Sequence, residues 1–411
     1  LDIMRFTFIH AADLHIDSPL AGLSLKDKAV ADRFAQAGRR AVEALVEETI
    51  SSKAAFLIIA GDIFDGDWKD VTTGLFFVRA ISALHRGGIP TFIVKGNHDA
   101  ESVMSRELPY PESVTTFRAG KAETHTLDHY RVALHGRSFQ NRLTAEFVET
   151  YPARCDGWLN IGVLHTSLDG TRGHEGYAPC TVEDLTRFGY DYWALGHVHA
   201  AEIVSRDPWI VYPGNLQGRG VRETGAKGAV RVTVDDGRIV DVSPVTLDGA
   251  RWAHLSVDVA DISTDAELMS RIGAAMADAH TKGEGRPLAV RVTLTGATSL
   301  HGHLVARREA LQDDVRANGF QLSPDCWVEQ LKVKTSLPPQ ALAALSPGES
   351  LNVDRLLAEA AADPDFAAIL LELTELLKAR LPKDLHDEYS QLDTLKTLAA
   401  DARALLAGEL A

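Results

Sequence analysis

Trp193-Ala194-Leu195-Gly196-His197-Val198-His199-Ala200 (WALGHVHA) runs from an apolar strand pattern into a glycine and then two histidines two residues apart. On a strand, that spacing puts both imidazoles on one face. Past a strand end, a glycine frees the backbone and both rings can aim at one point. One such pair is weak evidence. Its weight depends on how the other strands of the chain end, and they end alike. FIHAADLHID delivers Asp13 and His15, LIIAGDIFDGD delivers Asp62 and Asp65, and FIVKGNHDA delivers Asn97, His98 and Asp99. GVLHTSLDG delivers His165. Turns favour Asp, Asn and Gly for conformational reasons, so any one of these would read as a turn. The conjunction does not, because open α/β sheets place their sites outside the carboxyl ends of the strands.

The surrounding pattern supports such a sheet. Strand-length apolar runs occur at Arg5–His10, Ala55–Ala60, Pro90–Lys95, Leu159–Leu164, Tyr190–Leu195 and Trp209–Tyr212. Helical patterns lie between several of them, at Ala29–Ile50 and at Val71–His85, the latter closed by Gly87-Gly88. Runs apolar on both faces and separated by helices predict a layered α/β domain over residues 4–250. A second unit, 251–337, reads strand, helix, strand, helix, strand and predicts a small α/β domain. The prolines at 338 and 339 end it. Residues 338–411 form a third segment, helical from Ser346, with Phe366, Leu370, Leu373 and Leu377 at coiled-coil-like spacing and a second stripe at Leu385, Tyr389 and Leu392.

The chain has 411 residues, 45% hydrophobic and 24% charged, which is ordinary soluble composition for two or three domains. No apolar run suits a bilayer and no signal peptide pattern opens the chain, so a cytoplasmic location is expected. Leu1-Asp2-Ile3 ahead of Met4 read as a remnant. Three scattered cysteines read as reduced thiols. The net charge of −15 argues mildly against nucleic acid, but −7 of it lies in the last 71 residues. Any DNA surface must therefore be a local patch.

Carboxylate, imidazole and amide oxygen without thiolate suit Mn²⁺, Fe²⁺ or Zn²⁺ in a reactive site, not a structural zinc. Two such ions, about 3.5–4 Å apart, activate water for in-line attack on a phosphate ester. The order D-x-H, G-D-x-x-D, G-N-H-D, H, G-H-x-H, spanning Asp13 to His199, resembles the calcineurin-like metallophosphoesterases. Within them, FIHAADLHIDSPL and VYPGNLQGRG are similar to the SbcD-type DNA exonucleases of the MRE-eleven family, and nearest to the YhaO-like members. The resemblance implies a β-sandwich flanked by helices, with a small α/β capping domain and a helical C-terminal tail. It implies two divalent metals, most naturally Mn. One would take Asp13, His15 and His199, the other Asn97, His165 and His197, with Asp62 bridging. His98 would contact the scissile phosphate and protonate the leaving oxygen, with Asp99 orienting it. Asp65 stands where many nucleases of this family have histidine, so its role is open. The implied partners are DNA and an SbcC-like coiled-coil ATPase docked on the tail, and a homodimer is allowed; self-packing of the tail is the competing reading.

Arg219 and Arg222 follow the last strand end and are candidate contacts for a nucleic-acid backbone, with a solvated loop the equal alternative. Arg137, beside His135, is a third candidate. Arg172 and His174 sit on a glycine-rich loop that could face substrate. His10 lies inside a strand and reads as a hydrogen-bonded core residue, and HGHL at His301–Leu304 reads as a solvated turn opening a helix. The alternative to a nuclease is a phosphodiesterase or phosphatase for a small, nucleotide-like molecule. Gly61-Asp62-Ile63-Phe64-Asp65-Gly66-Asp67 lacks the arginine of the phosphoprotein phosphatases' second motif. A decayed, non-enzymatic scaffold is disfavoured because every ligand position is filled.

Overall fold

The computed structural model describes residues 5–18, 28–65, 71–101, 108–139, 148–168 and 179–338. The expected helical tail and the Arg172/His174 loop lie outside these residues. The chain packs as two units, the first ending at Trp252 and the second beginning at Ala253.

The strands of the first unit are β1 (Arg5–Ala11), β2 (Leu57–Ala60), β3 (Thr91–Val94), β4 (Val114–Thr116), β5 (Glu123–Leu127), β6 (Val132–Gly136), β7 (Leu159–His165), β8 (Tyr192–Gly196), β9 (Glu202–Arg206), β10 (Trp209–Tyr212), β11 (Gly228–Asp235) and β12 (Arg238–Thr246). They form two six-stranded sheets, β12-β11-β1-β2-β3-β4 and β5-β6-β7-β8-β10-β9. The apolar runs of the sequence are the parallel centres of these sheets. β1, β2 and β3 are parallel to one another, as are β6, β7, β8 and β10. Such strands are covered on both faces, which is why they read as continuous apolar runs.

The two sheets face each other across Phe8, Phe56, Ile58, Phe92, Leu134, Ile161, Val163 and Val211, all buried. Phe8 stacks on Phe56, with centroids 4.8 Å apart. The helices α1 (Lys28–Ser51) and α2 (Val71–Arg86) cover the outside of the first sheet with Leu45, Phe77 and Ile81. Trp193 and Tyr190 pack on the outside of the second. The layered fold is therefore a sandwich of two mixed sheets flanked by helices. The antiparallel margins escape the apolar-run criterion because one face of each is polar. One of them does carry a signal, since β11 and β12 join through Asp236 and Gly237, both at positive φ (+49° and +74°), the residues and angles a tight hairpin needs.

The second unit has β13 (Arg251–Asp258), whose first two residues belong to the first unit, β14 (Leu288–Ala297) and β15 (Cys326–Ser336) in one three-stranded sheet. Its core joins that sheet to a helix at Asp265–Lys282 and another at Arg308–Leu322 through Ile272, Met276, Leu311 and Val315. The first of these helices starts with a capping box, Thr264 and Glu267 exchanging side-chain and backbone hydrogen bonds. HGHL opens a short helix, His301–Ala306, as expected, but His301 is buried and bonds Thr335 Oγ1 at 2.9 Å; only His303 is solvated.

Candidate metal centre

Parallel strands bring their carboxyl ends to one edge of each sheet, and the two edges meet. Gly61 follows β2 and Gly196 closes β8, and there the sandwich is tightest. A Cβ on Gly61 would lie against His165 Nδ1, and one on Gly196 would overlap the Ala60 carbonyl. Gly61 also has φ +98°, a conformation that favours glycine. Next to these glycines the ligand-type residues themselves are bent out of strand geometry. Asp13, His15, Asp62 and His197 have φ of +51°, +42°, +51° and +98°. Left-handed backbone at non-glycine residues costs on the order of 1–3 kcal/mol each and persists where surrounding contacts enforce it. Here they do: Asp13 N–H donates to Gly61 O, His15 N–H to Asp62 O, and His197 N–H to both Asp13 oxygens at 2.9 and 3.0 Å.

Two clusters result. Asp13, His15 and His199 bring ligand atoms within 4.8 Å of one another, and so do Asp62, His165 and His197. Asn97 joins the second, its Oδ1 lying 3.0 Å from His165 Nε2. Asp62 lies between them, with Oδ2 3.2 Å from His165 Nε2 and 4.0 Å from His15 Nε2. Asp13, His15, Asp62, Asn97 and His165 are all at most 4% exposed.

The donor set fits cations. His165 Nδ1 is 2.9 Å from the Ala60 carbonyl, to which it donates, so Nε2 is aimed at two oxygens, a place for a proton or a metal cation. His15 Nδ1 is 2.6 Å from Asp65 Oδ1 and His199 Nδ1 is 2.7 Å from Glu223 Oε1, which leaves both Nε2 lone pairs facing each other at 3.2 Å. Converging buried lone pairs repel unless positive charge sits among them. The titration behaviour agrees. Burial pulls the His165 imidazole down, but Asp62 beside it outweighs this and pushes it up to about 9. Burial raises Asp13, whereas Asp62 is held well below the usual carboxylate range by His165, His15 and His98 in spite of its burial.

His98 is half-buried, its ring 5.4 Å from that of His15. Its N–H donates to Asp62 Oδ1 at 3.1 Å, which ties the histidine to the carboxylate between the clusters. Asp99 is tied to the backbone. Its oxygens accept from the backbone N–H groups of Ile63, Phe64 and Gly96 at 3.0–3.2 Å. Residues Asn97–Glu101 form one helical turn, in which successive side chains diverge by about 100°. Asp99 braces the turns after β2 and β3. Burial first, and the nearby Asp62 charge, push its carboxyl up to about 6.

The candidate arginines separate. Arg137 is bound to the Ala119 carbonyl and the Thr150 hydroxyl, and His135 is buried between Thr124 and Asn160 and stacked on Tyr190. Arg219 lies against Asp65 at 3.3 Å and Glu223 at 3.6 Å. Arg222 is exposed. Glu223 escaped the reading of the sequence because its partner stands 24 residues away; the tract from Asn215 to Glu223 was the available signal.

The calcineurin-like phosphoesterase family model matches residues 6–201, and the model for the middle domain of metallophosphoesterase YhaO matches residues 252–336. An uncharacterised metallophosphoesterase YhaO of Bacillus subtilis is 34% identical over 71% of this chain and 72% of its own length. The chain belongs to the calcineurin-like metallophosphoesterases. Members of this family use a dimetal centre, which makes the protein a metal-dependent phosphoester hydrolase. A DNA double-strand break repair protein Mre11 of Methanopyrus kandleri is 26% identical to this metallophosphoesterase over 64% of the chain and 61% of its own length. A dimetal phosphatase structure from Danio rerio covers 59% of the chain and 99% of its own length, at 11% identity and a TM-score of 0.35, too low to bear on substrate. No helix among the described residues is long and apolar enough to cross a membrane.

Proposed function

We propose that this metallophosphoesterase is a two-metal DNA nuclease of the SbcD type, working in the cytoplasm with an SbcC-like coiled-coil ATPase that docks on residues 338–411. The observation that carries the reading is the pair of clusters sharing Asp62 with His98 anchored beside them. The similarity to Mre11 supplies the preference for DNA.

In this reading Asp13, His15 and His199 hold one divalent cation and Asn97, His165 and His197 the other, with Asp62 serving both; Mn²⁺ is the favoured metal. Bound there, the two cations supply Lewis acidity toward a phosphoryl group and make water acidic enough to act as nucleophile. The chain's own residues do the rest. Asp62 accepts the His98 backbone N–H, which holds this histidine beside the two clusters. His98 donates its Nε2 or Nδ1 proton to the leaving oxygen. Asp99 holds the turn that carries Asp62.

A small-molecule phosphodiesterase is the second reading, and one observation favours it. Of the three arginines assigned to a DNA backbone, Arg137 and Arg219 are occupied within the fold and Arg222 alone is exposed. The deciding experiment is Mn²⁺-dependent cleavage of end-labelled duplex and single-stranded DNA beside a chromogenic phosphodiester, for wild type and His98→Ala. DNA cut only by wild type supports the nuclease. The small ester cut while DNA stays intact, with the ATPase present as well as absent, gives the second reading.

A further inference from the structure

Three histidines of the two clusters are held in different ways. His165 is fixed by a backbone carbonyl, that of Ala60. His15 and His199 are each fixed by a carboxylate, Asp65 at 2.6 Å and Glu223 at 2.7 Å. Those two carboxylates are joined. Arg219 Nη1 reaches Asp65 Oδ1 at 3.3 Å, and Nη2 lies 3.6 Å from Glu223 Oε1. Glu223 is itself positioned by Asn215 Nδ2 at 2.8 Å and the Arg219 N–H at 2.7 Å, both on Oε2. Asn215 in turn pairs with Ala12 beside Asp13.

We infer that Asp65, Arg219 and Glu223 form a charged strap that sets the metal affinity of the Asp13/His15/His199 site alone. This rests on the two-metal reading above. A carboxylate on Nδ1 fixes the proton there, aims the Nε2 lone pair inward and makes the imidazole a stronger donor. Two carboxylates within reach of one guanidinium would repel without it. Arg219 offsets that repulsion and leaves the strap with one net negative charge, which favours a cation at the inner face. A backbone carbonyl provides the same tautomer at His165 without the charge. The two sites are therefore inequivalent by construction. The strap also gives Asp65 a role, as a positioning residue for His15, and removes Arg219 from the list of DNA contacts.

The test is Mn²⁺ binding by equilibrium dialysis to the full chain, wild type against Glu223→Gln and Asp65→Asn, which keep side-chain shape. Apo-protein melting by circular dichroism checks that the variants fold. Proton NMR of the imidazole N–H groups provides a readout independent of metal. Wild type should bind two equivalents. Each variant should weaken one of them about ten- to hundred-fold and leave the other unchanged. Each should also move one downfield N–H resonance, that of His199 for Glu223→Gln and that of His15 for Asp65→Asn. Two equivalents in wild type, with affinities and resonances unchanged in folded variants, or with both sites weakened alike, overturn the strap and leave the two-metal reading standing. Fewer than two equivalents in wild type overturns both.

Discussion

Two buried stretches of the first unit, the sandwich interior and the sheet edges, hold histidine in unlike company. Inside the sandwich, His10 bonds the Tyr192 hydroxyl at 3.0 Å and the Leu195 carbonyl at 3.1 Å. Five residues further along the same stretch of chain, at the edge, His15 faces Asp65, Asp62 and His199. Both are almost fully buried. The interior ring has neutral partners, and burial drives its pKa down to about 3. The edge rings have carboxylate partners and lone pairs that converge. Burial alone does not make a histidine functional; the charge opposite it does.

The largest effect should come from the carboxylate shared by both edge clusters. Asp62→Asn is expected to weaken binding of both metals and to lower phosphodiester hydrolysis by about 10³-fold or more, the several kcal/mol that metal-supplied charge stabilisation is worth. Metal content by elemental analysis checks it, and a variant that retains two equivalents would show that the clusters do not share this group. Next comes His98→Ala. Turnover should fall by about 10²–10⁴-fold while both metals stay bound, as expected for loss of a general acid. Loss of metal from that variant would make His98 a ligand.

The interior half of the comparison predicts a pH dependence. The native state excludes a proton from His10 down to about pH 3, whereas the unfolded chain takes it up near 6.5. The unfolded state therefore binds more protons between these values, so stability rises with pH across the window and is lost as pH falls through it, by at most ~1.4 kcal/mol per unit. Urea unfolding between pH 4 and 6.5 should show a shallower slope for His10→Phe than for wild type. Equal slopes would mean that His10 is charged in the fold, or that other groups carry the acid sensitivity. The smallest effect belongs to the second H-x-H of the chain. His301 bonds Thr335, and His303 is 3.1 Å from Asp265 on the surface. His301→Ala with His303→Ala should leave metal stoichiometry untouched and cost about 1 kcal/mol of stability, mostly from the lost hydrogen bond between buried His301 and the half-buried Thr335 hydroxyl.

The same contrast marks how far the sequence could be read. His197 and His199 share their spacing with His301 and His303, and spacing alone could not separate the pairs. What separated them was the company of Asp13, Asp62, Asn97 and His165 at other strand ends. Those residues were legible because parallel strands covered on both faces leave continuous apolar runs, and such runs point to their own carboxyl ends. The polar-faced strands at the sheet margins left no such run, and the hairpin at Asp236-Gly237 went unread for want of one. Arg137 and Arg219 were candidates for phosphate on charge alone, because a sequence shows a charge but not its partners within the fold.

The sequence by itself determined the sandwich's central strands and the types of residue at their ends, since both follow from local periodicity and composition. Only the tertiary structure decided which partner each of those residues meets. Asp13 receives the N–H of His197 across 184 positions, and Arg219 reaches Asp65 across 154. Asp99 holds backbone 35 and 36 residues earlier. Hydrogen bonds and ion pairs act over a few ångströms of space whatever the separation along the chain. The contacts of Asp65, Asp99, Arg219 and Glu223 therefore came into being only when the fold brought distant stretches of chain together.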